Sequence, residues 1–495
     1  MHRKKAVGLF LLFILAAVVM TGCGNRSVDV KASVDVYTAH LDAHIPRLMD
    51  RYGIAGCSMA LIIEARPVWY NAYGYADLAS KRPMTVDEIC RAESISKSVT
   101  AWGVMTLAEK GLIDLDAPVE QYLSGWKFPE SGYSKEKVTT RRLLTNSAGL
   151  HPGEIGGEYP PGSTMPSLKE YLSESAQLIM EPGTMFLYSN PGFNLLELIV
   201  EEVSGREFAV YMEEEVLSPL GMNNSSYEWR NSYRGAVPTG YKPDGRPVAP
   251  YVYPVKGSGG LLADLDDLAR FVGAGMTGPY FRDHGVLSEE SIREMHQPQI
   301  EIPGLFSFVA DSYGYGHFTE TLPEGSNAVW HGGQGNGWMT HFHSIPGSGD
   351  GIIILTNSQR SWPFMSQVLN DWAGWRGYRS VGMGVITSAT IVLWTIIALL
   401  FASVLRQAYR MGRGIITGHR RFAPFSPLYP IGRLAEALIG IAVIGVIAWR
   451  SAAAYRFESS IFPGALGWAE AALLSFGAVL ILLALFPKSG GMERD

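Results

Sequence analysis

The chain has 495 residues, a formal net charge of −6 and 47% hydrophobic residues. That length implies two or three domains, and a mildly acidic balance without a long basic run in the middle argues against a nucleic-acid partner. Its three cysteines, Cys23, Cys57 and Cys90, form no CxxC pair, which excludes a disulfide-dense scaffold and gives no support to a cysteine-rich zinc site.

In chain order, Arg3, Lys4 and Lys5 precede an uninterrupted apolar stretch, Ala6 to Met20. A stretch of about 15 apolar residues suits the core of an export signal and is short for a spanning helix. An export signal is therefore expected over residues 1–22. Met20-Thr21-Gly22-Cys23 resembles a bacterial lipoprotein cleavage box, which makes Cys23 the lipidation candidate. The next domain is expected over residues 33–378. It opens with a helical pattern, Val34 to Tyr52, closed by Gly53. Two strand-like runs follow, Ala55 to Glu64 and Pro67 to Gly74. A helix is expected from Ser94 to Gly111, and others over Leu168–Met180, Asn194–Val203 and Asp264–Gly273. Strand-like stretches close the domain at Asn327–Trp330, Trp338–Ile345 and Gly351–Thr356. Strands first, helices in the middle and strands again imply an α+β domain whose sheet draws on both chain ends. An oxidising compartment would allow Cys57 and Cys90 to pair, but the sequence does not bring them within bonding distance.

Residues 380–487 read as a membrane domain with three spans. Ser380 to Leu405 carries no charge, while Leu434–Trp449 and Gly464–Phe486 are apolar apart from Glu436 and Glu470. Both glutamates lie near a span end, within reach of the interface. Between the first two spans lie Arg406, Arg410, Arg413, Arg420, Arg421 and Arg433. The positive-inside rule puts that loop in the cytoplasm and the large domain outside, in agreement with the export signal. The expected location is the bacterial cytoplasmic membrane, with the lipid bilayer as a partner.

Ser94-Ile95-Ser96-Lys97 is the first chemical signal. If Ser94 opens a helix, Lys97 stands one turn on and on the same face, where its amine can activate the hydroxyl. Alone, the match is weak, and a capping serine beside a solvated lysine would explain it. Tyr188-Ser189-Asn190 is the second signal. A tyrosine beside a lysine can shed or share its proton, and an asparagine can hold a substrate carbonyl and steady Lys97. The third is His331-Gly332-Gly333-Gln334, behind the apolar Ala328-Val329-Trp330. A strand edge with two glycines admits a substrate backbone, and the Gln334 N–H can join that of Ser94 as an oxyanion hole. His40 and His44 read as a surface pair, and His341 and His343 share a strand face without an evident partner. No G-x-S-x-G elbow, P-loop or dinucleotide fingerprint is present.

Together the three signals resemble the active-site set of serine β-lactamases, D,D-peptidases and related esterases: S-x-x-K, then Y-x-N, then K/H-x-G. The tyrosine with His-Gly-Gly is similar to the class C β-lactamase and D-aminopeptidase branch. Connecting segments such as Gly111-Leu-Ile-Asp-Leu-Asp-Ala-Pro-Val, Leu143-Leu-Thr-Asn-Ser-Ala-Gly-Leu and Gly259-Gly-Leu-Leu-Ala-Asp extend the likeness over roughly residues 40 to 360. Asn146 and Ala148 stand where that family more often has His and Ser, at positions expected to lie away from the nucleophile. The resemblance implies a β-lactamase/transpeptidase-like domain, with an antiparallel sheet, flanking helices and a helical lobe. It implies Ser94 as the acylated nucleophile, Lys97 and Tyr188 as the proton-transfer pair, and Asn190 as a substrate clamp. His331 would tune Tyr188 and a bound carboxylate or amide, with Gly333 and Gln334 on the substrate edge. No cofactor and no metal is expected. The substrate is expected to be a small peptide or amide, most simply a D-amino-acid-containing or cell-wall-type peptide. The alternatives are a prodrug-activating peptidase of a natural-product pathway, a β-lactamase, an esterase, or a catalytically idle sensor.

Overall fold

Tyr37, Leu41, Ile45, Leu48 and Met49 recur at helical spacing and make Val34–Tyr52 (α1) a helix with one buried face. The Ser33 hydroxyl caps its start by accepting from the Val36 N–H, and Gly53 closes it in the left-handed conformation at φ 66°. In this computed structural model the described residues are 28–153, 155–424, 430–451 and 458–488. The expected export signal and Cys23 lie outside them.

The strand-forming runs become Gly56–Ile63 (β1) and Arg66–Asp77 (β2). Glu64 and Ala65 join them, both at positive φ, as a tight right-twisting hairpin requires. Arg82–Pro83 (β3) completes the N-terminal contribution. The far end of the domain supplies Ile300–Glu301 (β4), Ser312–Tyr313 (β5), Phe318–Thr321 (β6), Asn327–Gly335 (β7), Trp338–Ile345 (β8) and Asp350–Thr356 (β9). Among the described residues these form one sheet in the order β3-β2-β1-β9-β8-β7-β6-β5-β4. The two chain ends meet where Cys57 to Ile62 pair antiparallel with Thr356 to Gly351. Cys57 and Cys90 are buried free thiols, so the pairing that the sequence left open is not made.

Helices are inserted between the two sets of strands. Ile95–Glu109 (α2) is buried at every position from Ile95 to Leu107 and forms the centre of the domain core. Asn190–Ser204 (α3) packs beside it, and Leu265–Ala274 (α4) sets Phe271 against Trp102 of α2 and Phe342 of β8. The opposite face of the sheet is covered by Trp362–Arg376 (α5) together with α1, where Tyr37 stacks on Trp375 with ring centroids 4.0 Å apart. His40 is drawn into that seam, 2.9 Å from Asp371, so the expected surface pair with His44 is corrected to a part-buried interhelical contact. His341 and His343 are fully buried under α5, where His343 Nε2 lies 3.3 Å from Glu320. The helix expected over Leu168–Met180 ends at Ser175, because the chain then turns to pair Leu178 with Leu150.

The chain divides into two compact units, Ser27–Val385 and a second that holds the residues from Ile386 onward. Three apolar helices follow the first unit: Val385–Ile416 (α6), Pro430–Ser451 (α7) and Leu466–Leu485 (α8). Each is long and apolar enough to cross a membrane. α6 extends past its apolar stretch, so Arg406, Arg410 and Arg413, expected in a loop, lie on its last turns. α7 and α8 approach closely at a pair of glycines. A Cβ on Gly440 would sit 2.6 Å from the Gly477 carbonyl oxygen, and one on Gly477 would sit 3.0 Å from that of Gly440.

Candidate active site

The segment before α2 turns sharply. Cys90–Arg91 pairs with Leu262–Ala263, and the Ala92 N–H donates to the Leu261 carbonyl at 2.9 Å. Glu93 then adopts φ 50°, a left-handed conformation that costs a side-chain-bearing residue roughly 1–2 kcal/mol. Ser94 follows at the mouth of the helix, half-buried, while Lys97 one turn on is completely buried. The S-x-x-K spacing therefore does bring the two side chains together, with Lys97 Nζ 3.2 Å from Ser94 Oγ.

Lys97 is held by three acceptors. Besides Ser94, its amine donates to Asn190 Oδ1 at 2.8 Å and to the Ser258 carbonyl at 2.7 Å. One helix face supplies or braces both of these. Asn190, Asn194 and Glu197 follow one another at helical spacing on α3. Asn194 Oδ1 accepts from the Ser258 N–H at 3.1 Å, and Glu197 accepts from the N–H groups of Lys256 and Gly257 at 2.6 and 2.7 Å. The second Asn190 amide atom, Nδ2, donates to the Gly153 carbonyl at 3.1 Å. Of the two tasks expected of Asn190, the contact that steadies Lys97 is the one made here.

Tyr188 stands across from Lys97, whose Nζ lies 4.8 Å from the ring centroid. Burial raises the tyrosine pKa, with a hydrogen bond to the Ser94 hydroxyl pulling the other way. Burial pushes Lys97 well below the ordinary lysine value, with Glu93 acting in the opposite direction. Burial thus disfavours the charged form of each, the ammonium of Lys97 and the phenolate of Tyr188. It leaves Lys97 as the ready base.

His331 is buried on β7 beside Tyr188, with ring centroids 6.2 Å apart. Its hydrogen bonds run elsewhere, to the Tyr313 hydroxyl at 3.2 Å through Nε2 and to the Gly332 carbonyl at 2.9 Å through Nδ1. A carbonyl acceptor assigns the proton to Nδ1, so Nε2 accepts from Tyr313. Burial, and secondly Lys97, hold the ring well below the usual histidine range, as a neutral imidazole. It reaches Tyr188 by packing and through Tyr313, not by a direct hydrogen bond.

The glycines of β7 have a packing reason besides the one the sequence suggests. A Cβ at Gly333 would fall onto Thr340 Oγ1 and the Ala92 carbonyl oxygen, and one at Gly335 would fall onto the Glu93 carboxylate. The strand edge is glycine because it is pressed against the turn that delivers Ser94. The Gln334 side chain accepts from the Trp362 indole N–H at 2.6 Å, so the oxyanion role expected of its backbone N–H does not involve its side chain. Gly333→Ala is expected to cost about 1–3 kcal/mol of stability and to abolish labelling of Ser94 by an active-site probe. Gly347→Ala, with no atom within 4 Å of the added carbon, should change neither. Thermal unfolding and probe labelling of both variants check this, and a fully labelled Gly333→Ala would contradict it.

Four residues of the site escape the sequence reading. Ser258 acts through a carbonyl, for which no side-chain signal exists. Tyr313 comes from a two-residue strand. Asn146, expected far from the nucleophile, adopts φ 54° and brackets Tyr188: its backbone oxygen accepts from the Leu187 N–H at 2.7 Å, and its Oδ1 from the Ser189 N–H at 2.9 Å. Glu93 adjoins the motif itself, but an acidic neighbour of S-x-x-K carries no pattern by which to pick it out.

Comparison with known proteins gives the family. Residues 41–369 match the family model described as Beta-lactamase. A penicillin-binding protein of Bacillus subtilis (strain 168) is 25% identical over 325 residues, covering 61% of this chain and 68% of that protein. A D-aminopeptidase of Gluconobacter oxydans (strain 621H) is 24% identical over 334 residues, covering 65% of this chain and 59% of that protein. Among solved structures, the octameric penicillin-binding protein homologue from Pyrococcus abyssi superposes with a TM-score of 0.57 at 29% identity, covering 65% of this chain and 73% of that one.

Proposed function

Since this chain belongs to the beta-lactamase family of serine hydrolases, we propose that it is a membrane-tethered peptidase that works outside the cytoplasm through an acyl-enzyme on Ser94. The proposed substrates are amides of D-amino-acid-containing or cell-wall-type peptides. The observation that carries the chemistry is the buried Lys97 amine 3.2 Å from Ser94 Oγ, with burial lowering its pKa. The substrate class rests on similarity to a D-aminopeptidase and to penicillin-binding proteins.

In this mechanism Lys97 Nζ takes the Ser94 proton as Oγ attacks the carbonyl carbon. The backbone N–H groups of Ser94 and Gln334 receive the oxyanion. As the tetrahedral species collapses, the C–N bond breaks and the departing amine takes up a proton through Tyr188, which Lys97 resupplies. Water then attacks the Ser94 ester with the same pair taking its proton, the bond from the acyl carbon to Ser94 Oγ breaks as that proton returns to Oγ, and the acid product leaves. Asn190 and the Ser258 carbonyl keep the amine aimed at Ser94 through both halves.

Location is part of the proposal. The arginines from Arg406 to Arg421 would remain in the cytoplasm, and residues from about 33 to 378 would lie outside after export by the N-terminal signal. Cys23 would be the lipidation site. Alkaline phosphatase, active only outside the cytoplasm, should be active when fused after Tyr378 and silent when fused after Arg421. The reverse pattern would put the hydrolase on the cytoplasmic side, away from exported or cell-wall substrates.

A further inference from the structure

Glu93 is a fully buried glutamate in a left-handed conformation at the residue immediately before the nucleophile. Glycine would meet that backbone requirement without strain, so the retention of a carboxylate calls for a reason beyond shape. Its surroundings supply one. Arg91 Nε lies 2.7 Å from Oε1, and the hydroxyls of Tyr251 and Tyr253 donate at 3.1 and 3.0 Å to Oε1 and Oε2. The Arg91 guanidinium lies over both tyrosine rings, 3.9 and 4.6 Å from their centroids, so the whole group is locked. Against it press Gly335 and Gly333 of β7, and Gly259, next to the Ser258 carbonyl that holds Lys97.

We propose that Glu93 is a positioning residue: its carboxylate, locked by Arg91, Tyr251 and Tyr253, joins the Ser94 turn to the glycine edge of β7 and acts from there on Lys97, one turn beyond the nucleophile. The inference rests on the proposed roles of Ser94 and Lys97. The other groups facing Lys97 are the hydroxyls of Ser94 and Tyr188, the Asn190 amide, the Ser258 carbonyl and the neutral His331. None of these carries a negative charge at rest. Glu93 acts on the amine to favour its protonated form, while burial acts against that form. The carboxylate thus keeps a buried lysine basic enough to accept the serine proton.

The sign of its effect gives the test. Acylation needs a neutral Lys97, so the labelling rate rises with pH along an acid limb governed by that amine. Removing the Glu93 charge lowers the lysine pKa further. Glu93→Gln, which keeps the shape, should move the limb to lower pH by about 0.5–1 unit and slow labelling on the plateau, because the base is weaker. Tyr253→Phe keeps the carboxylate but removes a donor that shares its charge, so the limb should move the opposite way by a smaller amount. Opposed shifts are not what loss of packing produces. The measurement is the rate of fluorophosphonate labelling of the full-length chain in detergent against pH, with thermal unfolding recorded alongside. If Glu93→Gln does not fold, Tyr253→Phe alone decides by the direction of its shift. Wild-type labelling on Ser94 with an unmoved limb in the folded variants would overturn the role of Glu93 alone. A wild-type chain labelled elsewhere than Ser94 would overturn the nucleophile assignment beneath it.

Discussion

Lys97→Ala and Tyr188→Phe are each expected to slow acylation of Ser94 by about 10²-fold or more, the usual scale of general acid–base contributions. Their side effects should differ. Lys97 is completely buried and satisfies Asn190 Oδ1 and the Ser258 carbonyl, so truncation strands two acceptors as well as removing the base. A stranded buried acceptor costs about 1–3 kcal/mol, and Lys97→Ala should therefore also lower the unfolding temperature. Tyr188→Phe removes one hydroxyl from a part-buried side chain and should lower the unfolding temperature less. If the two residues serve one proton path, the double variant will be hardly slower than the slower single one. Single-turnover labelling rates of the four proteins test this. Clean multiplication of the two effects would contradict a shared path.

The α+β plan is legible in the sequence because its long elements carry strong periodicity. The buried face of α1, the hairpin of β1 and β2, and β8 with β9 all follow from residue pattern. β7 is only half legible. Its apolar start, Ala328-Val329-Trp330, reads as strand and the expected run stops there, although the pairing continues through the glycines to Gly335 opposite Trp338. Those glycines are strand residues made small by a neighbour across the fold, and no local rule conveys that. β4 and β5 have two residues each, too few to show any alternation.

At the site, Ser94, Lys97, Tyr188, Asn190 and His331 are legible as residue types in order, because their chemistry demands particular functional groups. What each one touches is less so. Asn190 meets Lys97, as its residue type suggests, but its other amide atom goes to Gly153 and His331 turns to Tyr313, because those contacts depend on the docking of α3 and β7 and not on spacing. Asn146 lies 42 residues from Tyr188 and meets its flanking backbone only in the folded chain. The protonation of the Lys97–Tyr188 pair is likewise set by burial, which a sequence motif does not contain.

The central claim is that Ser94 is the nucleophile of a lysine-activated acyl-enzyme, and one covalent measurement meets it directly. Ser94 Oγ is the hydroxyl that lies 3.2 Å from Lys97 Nζ, whereas the neighbouring Ser96 and Ser98 hydroxyls are committed to the Leu261 N–H and the Gly316 carbonyl. The full-length chain, treated with a fluorescent penicillin or a fluorophosphonate and examined by intact-protein mass spectrometry, should gain one probe mass. Peptide mapping should place that mass on Ser94, and Ser94→Ala should gain none. Equal labelling of Ser94→Ala, or a mass mapped to another serine, would contradict the claim.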